Sequence, residues 1–310
     1  KLASRPAERI HADSVVLPTY SLSGRKYIVV YTDEFSDYVF IVPMRTKDEL
    51  GTTLTRLIDK LLELDAIHDK QATNLTIRAD NEYGSGSFAN TAVDRGITLE
   101  FSAAHSPYQN GKAERMNRVL FGMTAAIMFD AQLDNSYAVL AANHAAYTLN
   151  RIGRKRNGYI TPYELMTGKV PAVRRLAPFG ALTAAHIEAD KRKTFATHVR
   201  FAMYIGHSDT HCDTTAMLYH PDTKRVTHTR DYHLYDTAEH RSMTVLQAIA
   251  ALNTHRAQHA FSVHPHTPTP MCTPAVMLVD QGSPPRNGSV RSALLRPAWR
   301  HALHSELRGL

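Results

Sequence analysis

The stretch 75–127 constrains this chain most, because one acid ends a strand-like run there and another opens a helix-like one. Leu75, Ile77 and Ala79 alternate with Thr76 and Arg78, the two-residue period of a strand, and Asp80 follows at once. Asn110-Gly111 opens a segment of helical period. In it Met116, Val119, Leu120, Met123 and Ile127 cluster on one side. Glu114, Asn117 and Arg118 fall within an arc of about 100° on the opposite side. Such a helix buries one face and offers Glu114 on the other. Upstream, Asp13 shares its side of a weakly alternating run with His11 and Val15, so a charged group stands on a strand that otherwise reads as buried. Asp13, Asp80 and Glu114 are hard oxygen ligands, and together they suit Mg²⁺ or Mn²⁺.

The remaining pattern is mixed α/β. Runs 27–31 and 38–42, joined by Thr-Asp-Glu-Phe-Ser-Asp, read as a hairpin, which with the first run gives three antiparallel strands. Thr46 and Glu49 read as a capping box ahead of Leu50, Leu54, Leu57, Ile58 and Leu61, an amphipathic helix that covers the sheet. A short helix around 87–94 and a fifth strand at 97–101 follow. Residues 135–150 are apolar almost all round and alanine-rich, as in a helix packed between others or at a subunit contact. Arg151-Ile-Gly-Arg-Lys-Arg then sets four cations in six residues, compatible with a solvated helix end and with a DNA contact alike. Beyond a connector at 171–178, short runs at 179–185, 201–205, 216–219 and 225–229 predict a small barrel. A helix at 245–257 precedes six prolines between 265 and 285, a composition that reads as a linker.

Composition narrows the class. A chain of 310 residues with 43% hydrophobic and 21% charged residues is long enough for about two domains. No run of eighteen apolar residues exists and the start lacks a signal-peptide core, so the chain reads as intracellular, not secreted and without a membrane partner. Cys212 and Cys272 are too few for a disulfide framework and fit a reducing compartment. His264, His266 and the pair His211-Cys212 lack a second ligand pair at zinc spacing, so they read as ordinary histidines. The net charge of +7 is uneven. Residues 1–170 hold 20 Lys/Arg against 19 Asp/Glu, and residues 171–310 hold 16 against 10. A basic half of this kind favours phosphate backbones by counterion release.

The Asp13, the Asp80-Asn81 pair and the string Asn110-Gly-Lys-Ala-Glu-Arg-Met-Asn117 together resemble the catalytic core of a retrotransposon integrase of the copia-like branch. Thr161-Pro-Tyr-Glu-Leu-Met-Thr-Gly-Lys, Tyr204-Ile-Gly-His and Thr229-Arg-Asp-Tyr are similar to later strings of that family. The resemblance covers roughly residues 1–235. It implies a ribonuclease H-like core over 1–170, a mixed five-stranded sheet with flanking helices, then an SH3-like small β domain over 176–236. Residues 237–310 would be a largely disordered linker whose end resembles the approach to a reverse transcriptase. The chain would be a fragment of a Pol polyprotein that begins just after the family's His/Cys zinc module.

By position the catalytic and metal-binding triad would be Asp13, Asp80 and Glu114, holding two Mg²⁺ or Mn²⁺ ions. Asp13 would bridge both ions. The expected activity is trimming of the 3′ ends of element DNA and their transfer into host DNA. Lys112, Arg115 and Arg118 would position phosphates, and Gln109, Asn110 and Gly111 would approach the end nucleotides. Asn117, Arg154, Lys155 and Arg156 complete the expected DNA contacts. Expected partners are element and host DNA, further copies of the chain and other Pol segments, with action in the nucleus. Only 33 residues separate Asp80 from Glu114, two fewer than the family's usual interval, a difference expected to fall in the surface loop and short helix between Tyr83 and Arg95. Ala104-His105 and Tyr108 also depart from its pattern. Two alternatives therefore stand beside the competent enzyme, a decayed DNA-binding remnant and a ribonuclease H-like nuclease. The Asn-Gly-x-Ala-Glu-Arg string argues against the second of these.

Overall fold

A computed structural model describes residues 2–68, 72, 74–101, 107–174, 176–188, 198–207, 215–235, 246–247 and 249–250; for 107–113 and 156 the description is of backbone alone. The chain divides into two compact units, with the boundary after Arg174. Each is taken separately below.

The first unit is built on a five-stranded sheet in the order β3-β2-β1-β4-β5. β1 (Arg9–Val16), β2 (Tyr27–Asp33) and β3 (Val39–Met44) are antiparallel neighbours, as the alternating runs predict. β4 (Thr76–Ala79) joins β1 in parallel, and β5 (Thr98–Phe101) joins β4 in parallel. Parallel neighbours require crossover connections, and α1 (Leu50–Glu63) and α2 (Gly86–Asp94) supply them. This mixed sheet with its helices has the architecture of the ribonuclease H-like fold.

The parity of each strand decides which face it serves. Ile10, Ala12, Val29, Tyr31, Phe40, Val42 and Ile77 point to one face, where Leu54, Leu57, Ile58 and Leu61 of α1 and Phe88 of α2 bury against them. Tyr31 closes this core with its hydroxyl 2.7 Å from Thr53 Oγ1, so the polar tip is satisfied inside. The opposite face, which carries His11, Asp13, Val30 and Ile41, receives α3 (Pro107–Asp130) and α4 (Ala138–Leu149). Met116, Val119, Leu120, Met123 and Ile127 are all buried, the stripe that the helical period marks. α4 is buried almost all round, which accounts for its alanine-rich, weakly amphipathic sequence.

Several local details differ from the sequence pattern. Thr46 opens a 3-10 turn, Lys47–Glu49, without a side-chain cap, and Glu49 accepts hydrogen bonds from Arg45 N and Arg25 instead. The capping box is therefore not formed. The residues are present, but the arginines claim the carboxylate. α3 begins at Pro107, three residues ahead of Asn110-Gly111, and proline is well suited to a first helical position. The cation run after α4 is only partly solvated. Arg151 is buried, its guanidinium stacked 3.3 Å from the Tyr147 ring centroid and 4.6 Å from that of Tyr163. α5 (Pro162–Thr167) follows, capped by Thr161, whose side chain accepts from Glu164 N.

The second unit contains a five-stranded antiparallel sheet ordered β10-β6-β7-β8-β9. Its strands are β6 (Leu182–His186), β7 (Val199–His207), β8 (Ala216–His220), β9 (Arg225–Thr229) and β10 (Tyr232–Leu234). The last is too short to stand out in the sequence. Ala181, Ala185, Ala202, Tyr204, Ala216 and Leu218 form its core. The proline-rich linker, Cys212, Cys272 and most of the expected helix at 245–257 lie outside the described residues, although 246–247 and 249–250 are helical. No helix among the described residues is long and apolar enough to cross a membrane.

Candidate active site

Strand register brings the first two acids together. β1 and β4 pair Arg9 with Thr76, Ile10 with Ile77 and His11 with Arg78. Carried two residues further, the same register sets Asp13 level with Asp80, and the two-residue period points both to the same face. Neighbouring strands lie about 4.8 Å apart, so the two carboxylates are neighbours. Asp80 keeps an extended backbone and is exposed; Asp13 is half-buried, with Val30 as its partner on β2. Burial, and then the Asp80 and Glu82 carboxylates, push the Asp13 carboxyl above the ordinary range. The Ser14 N–H and the Asn117 amide pull it partly back.

α3 crosses this pair. Asn117 is buried and its Nδ2 donates to Asp13 Oδ2 at 2.6 Å. Its Oδ1 is buried as well and has no hydrogen-bond partner among the described residues. Glu114 lies three residues earlier, one helical turn towards the N-terminus, and is exposed together with Arg115 and Arg118. The helical wheel therefore places Glu114 correctly on the open side but misplaces Asn117. That amide is spent on Asp13 inside the protein and is not an exposed DNA contact.

A second polar cluster steadies the turn after Asp80. The 3-10 turn Asn81–Gly84 carries Glu82, which accepts from Ser14 Oγ at 2.8 Å and from Lys47 Nζ at 2.6 Å. Those bonds hold the Glu82 carboxyl below its ordinary range. Sequence reasoning passed over Glu82. Its position two residues beyond a strand-end acid was the available signal.

Other expected contacts are placed less uniformly. Arg154 pairs with the buried Asp37 carboxylate at 3.1 Å and reaches Met116 Sδ at 3.5 Å, so it braces the β2–β3 turn against α3 and is not a free cation for phosphate. Lys155 is exposed. The side chains of Gln109, Asn110, Lys112 and Arg156 lie outside the described residues, as does everything but the helical backbone of Gly111.

Asp13 and Asp80 thus form a pair of hard oxygen donors whose mutual repulsion a divalent cation would relieve, and this donor chemistry fits Mg²⁺ or Mn²⁺. Convergence of all three acids on one point is not what the structure shows. Among the described residues no group of three His, Cys, Asp or Glu side chains stands close enough to hold a metal ion. Adding a third carboxylate to a pair that already perturbs Asp13 costs further repulsion, and Glu114 stays on the solvent side of α3.

No family model matches the chain. Over 213 residues it is 27% identical to the retrovirus-related Pol polyprotein from transposon TNT 1-94 of Nicotiana tabacum, covering 68% of this chain and 16% of that protein. Over 275 residues it is 22% identical to the corresponding polyprotein from transposon RE1 of Arabidopsis thaliana, covering 88% of this chain and 18% of that protein. Both of these relatives are retrotransposon Pol polyproteins. The chain therefore spans less than a fifth of the length of these Pol relatives. Among solved structures, the HTLV-2 integrase catalytic core domain in complex with magnesium, in a trimeric form, is similar at a TM-score of 0.39. That match has 19% identity and covers 53% of this chain and 99% of the other.

Proposed function

We propose that this chain is the integrase segment of a copia-like retrotransposon Pol polyprotein, joining element DNA to host DNA by phosphodiester exchange. The observation that carries this reading is the Asp13–Asp80 pair, set level by parallel register and fastened to α3 through Asn117, one turn from Glu114. The Pol relatives and the copia-like string from Asn110 to Asn117 support it. Asp13, Asp80 and Glu114 would hold Mg²⁺ or Mn²⁺, which when bound lowers the barrier between an anionic nucleophile and an anionic phosphate. Asn117 holds the Asp13 carboxylate in place, and the Ser14–Glu82–Lys47 cluster fixes the turn that presents Asp80. Arg115 and Arg118, exposed on the same helix as Glu114, would hold phosphates of the incoming strand, with Lys112 beside them.

The same reading includes two ions, DNA ends and target DNA as substrates, assembly of several copies to join two ends together, and action in the nucleus. It also includes an SH3-like role for the second unit, supported by its five short antiparallel strands. The test is strand transfer with paired oligonucleotide ends in Mg²⁺ or Mn²⁺. The parent should give joined product; Glu114→Gln and Asp80→Asn should lower it by at least about a hundredfold. DNA binding at moderate salt should stay within about twofold of the parent, because counterion release at the basic residues is untouched. Equal product from Glu114→Gln and parent would refute the assignment.

A second reading is favoured by one observation, that Glu114 is not gathered with the other two acids. In that reading the chain binds DNA without chemistry. DNA binding by the parent with no joined or nicked product in either metal would establish it. Nicking without joining would instead indicate a nuclease.

A further inference from the structure

The tight loop after α4 has a backbone that its sequence makes expensive. Residues Arg154 to Ile160 close on themselves: Tyr159 N donates to Arg154 O at 2.8 Å, Gly158 N to Lys155 O at 3.1 Å and Ile160 N to Asn157 O at 3.1 Å. Gly158 and Tyr159 both lie in the left-handed region, at φ +64° and +68°. Glycine takes that conformation freely, whereas a bulky aromatic residue there is strained. The loop also folds directly onto Gly153, where any added Cβ would stand 2.1 Å from the Tyr159 carbonyl oxygen. It is anchored at its base by the Arg154–Asp37 ion pair, which is largely shielded from water. The Tyr159 ring on this loop is 60% exposed. Lys155 is exposed on the same short loop.

The position of the loop gives the exposed ring a context. Arg154 touches Met116 on the buried face of α3, opposite Glu114, so the loop is braced against the helix that carries the third acid. An exposed aromatic ring and an exposed ammonium group on one short loop are the side chains that receive an unpaired base and its phosphate. We propose that Tyr159 is a stacking platform for an unpaired base at a DNA end, with Lys155 on the adjoining phosphate. This rests on the DNA-joining reading above and adds a recognition element to it, a preference for frayed or single-stranded ends over blunt duplex.

Fluorescence anisotropy without metal, using the whole chain and two labelled probes, tests this independently of catalysis. One probe is a blunt duplex and the other the same duplex with a three-nucleotide 3′ overhang. Tyr159→Gly removes the ring at a position whose backbone suits glycine, so relief of left-handed strain offsets glycine's larger unfolded-state entropy and the variant should melt within a few degrees of the parent. Overhang binding by Tyr159→Gly should weaken about tenfold while blunt-duplex binding stays within about twofold. Tyr159→Phe should keep the parent preference. Lys155→Ala should weaken both probes and lower the salt slope by about one. Equal affinity of Tyr159→Gly and the parent for the overhang probe would overturn the stacking assignment, as would equal losses on both probes. A parent that binds neither probe would overturn it together with the DNA-joining reading. Glu114→Gln showing full strand transfer would overturn the catalytic assignment alone.

Discussion

Asp13 keeps a carboxylate half-buried beside Asp80, so the folded protein binds the Asp13 proton more tightly than the unfolded chain does. A raised carboxyl pKa costs stability once the group must ionise. The cost is absent below the ordinary carboxylate range, grows as the pH rises from there, and is complete above the folded-state pKa. Asp13→Asn should therefore raise the melting temperature at pH 8, on the order of 1–3 °C after allowance for solvent screening, with the gain shrinking toward pH 4. Melting curves of both proteins at the two pH values check this, and a larger gain at acid pH would contradict it. Asn117→Ala should act in the opposite sense on the same acid. Without the amide donor the Asp13 carboxyl rises further, so the acid limb of any strand-transfer profile moves to higher pH. Asp80 and Glu114 were readable at this scale because strand alternation and helical period fix exposure from sequence alone. Asn117, Arg151 and Arg154 were not. Their partners, Asp13, the rings of Tyr147 and Tyr163, and Asp37, are set by packing that brings distant segments into contact.

Among the elements, α1 and α2 meet at a point that admits no side chain. A Cβ on Gly51 would stand 2.5 Å from the Ser87 backbone oxygen, and Gly51 N also donates to Ser87 Oγ at 3.2 Å. Gly51→Ala should cost about 1–3 kcal/mol by forcing the two helices apart, although alanine is the better helix former. Urea unfolding measures it; an unchanged midpoint would mean that the helices shift freely. The strands and long helices of the first unit were legible because their apolar residues repeat at clean periods over several turns. Their ends were not, since Thr46 fails to cap where Arg25 and Arg45 compete for Glu49, and α3 starts at a proline ahead of the marked glycine. β10 escaped for a different reason. Three residues of pattern carry too little periodicity to separate a strand from a loop.

For the whole molecule, charge and the sheet edge matter most. With 16 Lys/Arg against 10 Asp/Glu after residue 170, DNA affinity should fall at least about tenfold between 50 and 200 mM salt, which a titration series measures directly. A flat response would mean that contacts other than phosphate dominate. The other feature is Asn150. β3 is the outermost strand of its sheet, and the Asn150 side chain accepts from Val39 N at 2.8 Å and donates to Val39 O at 2.9 Å. One side-chain amide thus imitates the next strand and then stops. Edges with bare peptide groups recruit further chains; here the Val39 peptide is already taken, and Lys60 and Arg56 occupy the Ile41 and Pro43 carbonyls further along, so an added strand would have to displace three side chains.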